Sequence, residues 1–149
     1  MVLRLYMATM MIVSTSVASS AQEASFRQAE NPYQEDVRLF VGVPVEPGVE
    51  IIGVQWQSLL VRTKSGGDPK AGDDTQVVVE LDFENRGDTG ATVTVVVLLE
   101  DADGDQLERL ALPELRLGGN RKKSYREKFT VPGDDLLATR KAYLYCRVE

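Results

Sequence analysis

The sequence predicts an all-β protein, an antiparallel sandwich of about seven strands preceded by a signal peptide. Two observations predict the fold. Val, Ile, Leu, Phe and Tyr recur in short runs divided by Gly, Pro, Asn and Asp clusters, and no long stretch carries the 3.6-residue periodicity of a helix. A third predicts the signal. The chain opens "MVLRLYMATMMIVSTSVASSAQEAS", with one cation at Arg4, an apolar run from Leu5 to Val17, and small residues at Ser19-Ser20-Ala21. That order of charge, apolar core and small residues is the order of a secretory signal.

Cleavage is expected after Ala21, giving a signal peptide over 1–21 and a periplasmic or secreted mature chain. An uncleaved anchor is the alternative, but the run is shorter than the roughly 20 apolar residues that span a bilayer. No cysteine lies near the cut to accept a lipid. Residues 22–36, "QEASFRQAENPYQED", are polar and aperiodic, and read as a flexible leader. The remainder, 37–149, is the size of one domain.

The expected strands are Val37 to Val45, Val49 to Arg62, Gln76 to Asn85, Ala91 to Asp101, Gln106 to Leu112, Lys122 to Val131 and Ala142 to Val148. In the third, Val77, Val79, Leu81 and Phe83 share one face, while Glu80, Asp82 and Glu84 share the other. In the fourth, Val93, Val95, Val97 and Leu99 continue a buried face, and Val96 and Leu98 indicate that the opposite side is partly covered. In the sixth, Tyr125, Phe129 and Val131 oppose Lys122, Arg126 and Lys128. Like charges two apart on a strand repel, so the acidic stripe calls for a cationic neighbour. The strand Gln76 to Asn85 is therefore expected to pair antiparallel with Lys122 to Val131. Between the last two strands, "PGDDLLATRK" has room for one helical turn, with Asp134 as its cap.

The charge balance excludes some functions. Signal removal takes one of the 17 basic residues and none of the 23 acidic ones. An acidic chain disfavours nucleic acid and anionic membranes as partners, and no further segment is apolar enough to span a membrane. There is no histidine, which removes Ser-His-Asp and Cys-His catalysis, histidine metal sites and histidine pH switches. With Cys146 as the one cysteine, no disulfide forms within the chain.

From Val77 to Pro132 the order is strand, Asn-x-Gly turn, strand, Asp-x-Asp-Gly turn, strand, Gly-Gly turn, and a strand with an aromatic. This resembles the extracellular immunoglobulin-like modules of bacterial envelopes, especially the FxLYD type and the related cell-adhesion-like (CARDB-type) modules. The matching residues are Asn85, Gly87, Val93, Val95, Val97, Asp101, Asp103 and Gly104. The resemblance implies an immunoglobulin-like sandwich that binds, spaces or assembles, and it brings no catalytic residues. One clear strand follows Val131 where such a sandwich usually has two, and "VRLFVGVPV" near the N-terminus is a candidate to fill that edge.

The most site-like stretch is "LLEDADGDQLE", Leu98 to Glu108, five acidic residues around one glycine. An EF-hand loop needs glycine at position 6 and glutamate at position 12; counted from Asp101, glycine falls at position 4 and Leu112 at position 12. A looser calcium site would use Asp101, Asp103 and Asp105, with help from Asp73, Asp74 or Asp134. The structural reading is a hairpin turn with Gly104 at positive φ. Arg86-Gly87-Asp88 spells an integrin tripeptide inside "ENRGDTG", and Asn85, Gly87 and Gly90 are also turn residues. Cys146 shares a face with Leu144 and Val148 and is expected to be buried. Trp56, alternating with Ile52, Val54 and Leu60, is expected in the core.

No cofactor motif and no catalytic motif is present. The expectation is a non-catalytic binding or structural module that contacts an envelope protein, with an edge strand open to strand addition or to a homodimer. The alternatives are a calcium-assisted adhesion module and an enzyme of unrecognised type.

Overall fold

The computed structural model of the chain describes residues 25–149. The expected signal peptide lies outside the described residues. Among the described residues, ten strands and one short helix form: β1 (Arg27–Gln28), β2 (Tyr33–Arg38), β3 (Val49–Ile51), β4 (Val54–Thr63), β5 (Asp74–Asn85), β6 (Ala91–Glu100), β7 (Gln106–Ala111), β8 (Leu115–Leu117), β9 (Arg121–Pro132), α1 (Gly133–Ala138) and β10 (Lys141–Val148). They build two facing sheets, one in the order β1-β3-β4-β5-β9 and one in the order β2-β10-β6-β7, with β8 also on β6. Every ladder is antiparallel except the short β1–β3 pair. The fold is the all-β sandwich that the strand pattern predicts.

Alternation decides which faces meet. Val77, Val79, Leu81 and Phe83 of β5 are buried, as are Val93, Val95, Val97 and Leu99 of β6 and Leu144 and Cys146 of β10. Each such side chain removed from water contributes roughly 1.5–3 kcal/mol. Through this core runs a line of aromatic rings. Tyr33 meets Trp56 edge-on at 6.2 Å, Trp56 stacks on Phe83 at 5.5 Å, and Phe83 meets Tyr125 edge-on at 6.3 Å. The outward Val96 and Leu98 are half-buried, opposite Tyr145 and Tyr143 in the ladder with β10.

The described residues differ from the sequence reading in six places. The domain begins before residue 37: β1 and β2 occupy the segment read as a leader, because Tyr33 is buried against Trp56 and β2 pairs with β10. β2 fills the sheet edge for which "VRLFVGVPV" was the candidate, but it starts at Tyr33 and ends at Arg38. Downstream there is no further strand before β3: the Leu39 N–H donates to Arg140 O, the Gly42 N–H to Val61 O, and Val45 makes an isolated bridge with Leu59. The run Val49 to Arg62 is a hairpin, since Ile52 (φ 45°) and Gly53 (φ 77°) make a two-residue turn with both φ positive. A bulge between Trp56 and Ser58 then shifts the phase, so Leu59 and Val61 are buried rather than Leu60, while Ile52 at the turn is exposed. β8 was not anticipated; Leu115 and Leu117 extend the edge of the second sheet along β6. Finally, Asp134 is not the helix cap: Pro132 occupies that position, and Asp134 in the first turn accepts a bond from the Gly72 N–H.

Candidate functional site

The outer face of the first sheet gathers the charged stripes. β5 and β9 pair antiparallel in the register Glu80↔Arg126, Asp82↔Ser124 and Glu84↔Lys122, as the opposite signs of their stripes predict. Glu80 Oε1 lies 2.9 Å from Arg62 Nη2 on β4 and 3.1 Å from Arg126 Nε on β9. Glu84 is 3.7 Å from both Lys122 Nζ and Arg86 Nη1, and accepts from Gln57 Nε2 at 3.0 Å. Between them, Asp82 accepts from the Ser58 hydroxyl at 2.6 Å and from the Ser124 hydroxyl. Those two bonds, Ser124's first, hold the Asp82 carboxyl below its usual range. These carboxylates are consumed by compensation within the face.

β9 ends this sheet, with β5 on one side and no strand on the other among the described residues. It runs twelve residues, "RKKSYREKFTVP", and most of them are exposed. Five of the chain's 17 basic residues lie here. Lys122 and Arg126 are paired with β5, and Lys123 sits 5.1 Å from the centre of the Tyr125 ring. Arg121, Lys123 and Lys128 have no ion-pair partner among the described residues. Arg121, Lys123, Tyr125, Glu127 and Phe129 stand opposite the inward residues of β5. Beside this row, between β9 and the 112–116 connection, is an open cleft of about 330 Å³ whose lining includes Leu112, Leu115, Lys123, Tyr125 and Glu127. The Tyr125 hydroxyl bridges it to the Arg116 carbonyl at 2.6 Å. Sequence reading found Lys122, Arg126 and Lys128 as a stripe but passed over Arg121 and Lys123, although "RKKSYREK" shows the density of charge.

The acidic loop lies elsewhere, between β6 and β7. Asp101 Oδ1 accepts from the backbone N–H groups of Asp103 (2.9 Å) and Asp105 (3.0 Å), and Gly104 adopts φ 87°. Asp101 thus shapes the turn. No three acidic or thiol side chains converge as a metal site among the described residues. Near this loop, Glu100 sits across from Lys141, yet burial first and then Asp36 raise its carboxyl above the usual value.

The Arg86-Gly87-Asp88 loop is braced from beneath. The Asn85 side chain is buried, donates to the Thr89 carbonyl at 2.8 Å, and accepts from the Gly87 N–H at 2.9 Å. The Arg86 N–H donates to Gly53 O, and Asn120 N–H to Gly87 O. Cys146 is fully buried, and burial pushes its thiol up to about 12.

No protein-family model matches the chain, and no curated protein matches it in sequence. Among solved structures, the chain is similar over 81% of its length to a chain of the infectious bursal disease virus Gx strain structure, with 13% identity and a TM-score of 0.40. It is similar over 64% of its length to a Bacteroides fragilis protein provisionally named as a beta-galactosidase, also with 13% identity and a TM-score of 0.40. The chain spans 26% of the first of these and 13% of the second.

Proposed function

We propose that the chain is a secreted or periplasmic, non-catalytic binding or structural module that acts through protein–protein contacts in the cell envelope. One observation carries the reading: a long sheet edge that concentrates cations on an otherwise acidic chain. Such a surface attracts an acidic partner and speeds its encounter. The amino-terminal signal pattern supports the location. The non-catalytic reading is supported by the lack of histidine, the buried thiol and the internal pairing of the carboxylates on the charged face.

The test is fractionation of cells carrying the tagged full chain, followed by chemical cross-linking. Recovery in the envelope fraction, cross-linked to a distinct protein, supports the reading. Retention in the cytoplasm, or turnover of a substrate by the purified chain, contradicts it.

A further inference from the structure

We infer that the free edge of β9 accepts an extended acidic segment of a partner protein as an added strand. The inference rests on the binding reading above and names the partner's chemistry. The backbone N–H and C=O groups along a sheet's outer strand are a template for another chain. β9 offers the longest such edge here: twelve residues, against six in β2 and six in β7 at the borders of the other sheet.

Charge selects the occupant. A second copy's β9 would set cations against cations across the new ladder, which is repulsive. A second copy's β2 is poorly suited, since its Glu35 carboxylate is already held by Arg27 and by the Tyr33 hydroxyl. An acidic strand from another protein places carboxylates against Arg121, Lys123 and Lys128, the cations without ion-pair partners among the described residues. On the face shared with Arg121 and Lys123, the further side chains of that strand would lie over Tyr125 and Phe129, half-buried residues of β9, and apolar ones there would reach the cleft beside Leu112 and Leu115. The basic edge thus repels its own kind and admits an acidic strand.

The test titrates isotope-labelled full chain with a synthetic peptide of about ten residues, its glutamates placed to meet Arg121, Lys123 and Lys128 and its valines placed to meet Tyr125 and Phe129. Backbone shifts and amide protection should concentrate on Arg121–Pro132. Lys123→Glu combined with Lys128→Glu, both on exposed side chains, should weaken binding about tenfold or more while leaving the melting temperature unchanged. A lysine–valine peptide should not bind.

A peptide of the same charge, N-methylated at every residue, should also fail, because it has no backbone donor left on either edge. If it binds as well as its parent, or if the shifts fall on a sheet face or loop, strand addition is wrong while the acidic-partner reading stands. Equal affinity for a single-stranded DNA oligonucleotide overturns peptide recognition. Self-association that the peptide does not displace overturns it in favour of a second copy. Absence of any shift at millimolar peptide overturns the edge inference, and the cellular cross-link then decides the broader reading separately.

Discussion

Arg126 on β9 faces Glu80 on β5 across the ladder, its Nε 3.1 Å from the carboxylate oxygen. The same oxygen receives Arg62 from the other side at 2.9 Å, so one acid ties three strands together. The Arg126 side chain is 71% exposed, and a pair this solvated is worth at most about 1 kcal/mol. Arg126→Ala should therefore cost less than about 1 kcal/mol in urea unfolding, with less effect still at high salt. A loss several times larger would mean that the strand pairing itself depends on it.

Asp82 gives the face a pH dependence. Its folded carboxyl is held below the unfolded value by Ser124 and Ser58, so its stabilisation is present above the unfolded pKa and is lost as pH falls through the folded one. Asp82→Asn should cost about 1 kcal/mol at neutral pH, and the deficit should shrink as the pH drops below about 4. A deficit that persists unchanged in acid would contradict this assignment.

Gly119 lies in the turn that enters β9. A Cβ there would stand 2.3 Å from the Asp88 carbonyl oxygen, which cannot yield without opening the Arg86-Gly87-Asp88 loop. Gly119→Ala should destabilise by about 1–3 kcal/mol. Asn85→Ala, which leaves the loop's backbone groups without their buried partner, should cost about as much. Denaturant melts check both, and a change within error for either would show the loop to be unbraced.

Cys146 is buried with a strongly raised thiol pKa. A disulfide reagent should modify it no faster than the chain unfolds, and at full rate in denaturant. Immediate native-state labelling would place the residue outside the core.

Calcium should leave the melting temperature where chelator leaves it. Asp101 holds the hairpin by bonds to Asp103 and Asp105. A rise of several degrees in millimolar calcium would instead indicate ligand-linked stabilisation through Asp101, Asp103 and Asp105.

What was legible in the sequence was local and periodic. Alternation in "QVVVELDFEN" and "ATVTVVVLLED" named the buried rows, and the opposed stripes named the β5–β9 partnership. The errors arose where one residue changes the phase or where a contact is distant. Ile52-Gly53 is hidden inside an apolar run, and the bulge before Ser58 moves burial from Leu60 to Leu59. Tyr33 joins the core only because Trp56 and β10 wait for it across the fold. The same holds for the site: the cations of β9 can be counted in the chain, but its place at the end of a sheet is a property of the whole topology.

The most direct measurement is a photo-cross-linking scan in living cells, with the reactive residue placed in turn at Ser124 and Thr130 on β9 and at Asp103 and Asp88 on the loops. The account predicts one partner protein captured from the β9 positions, lost when Lys123 and Lys128 are both changed to Glu, and little from the loops. Capture from Asp103 or Asp88 with β9 silent would contradict it.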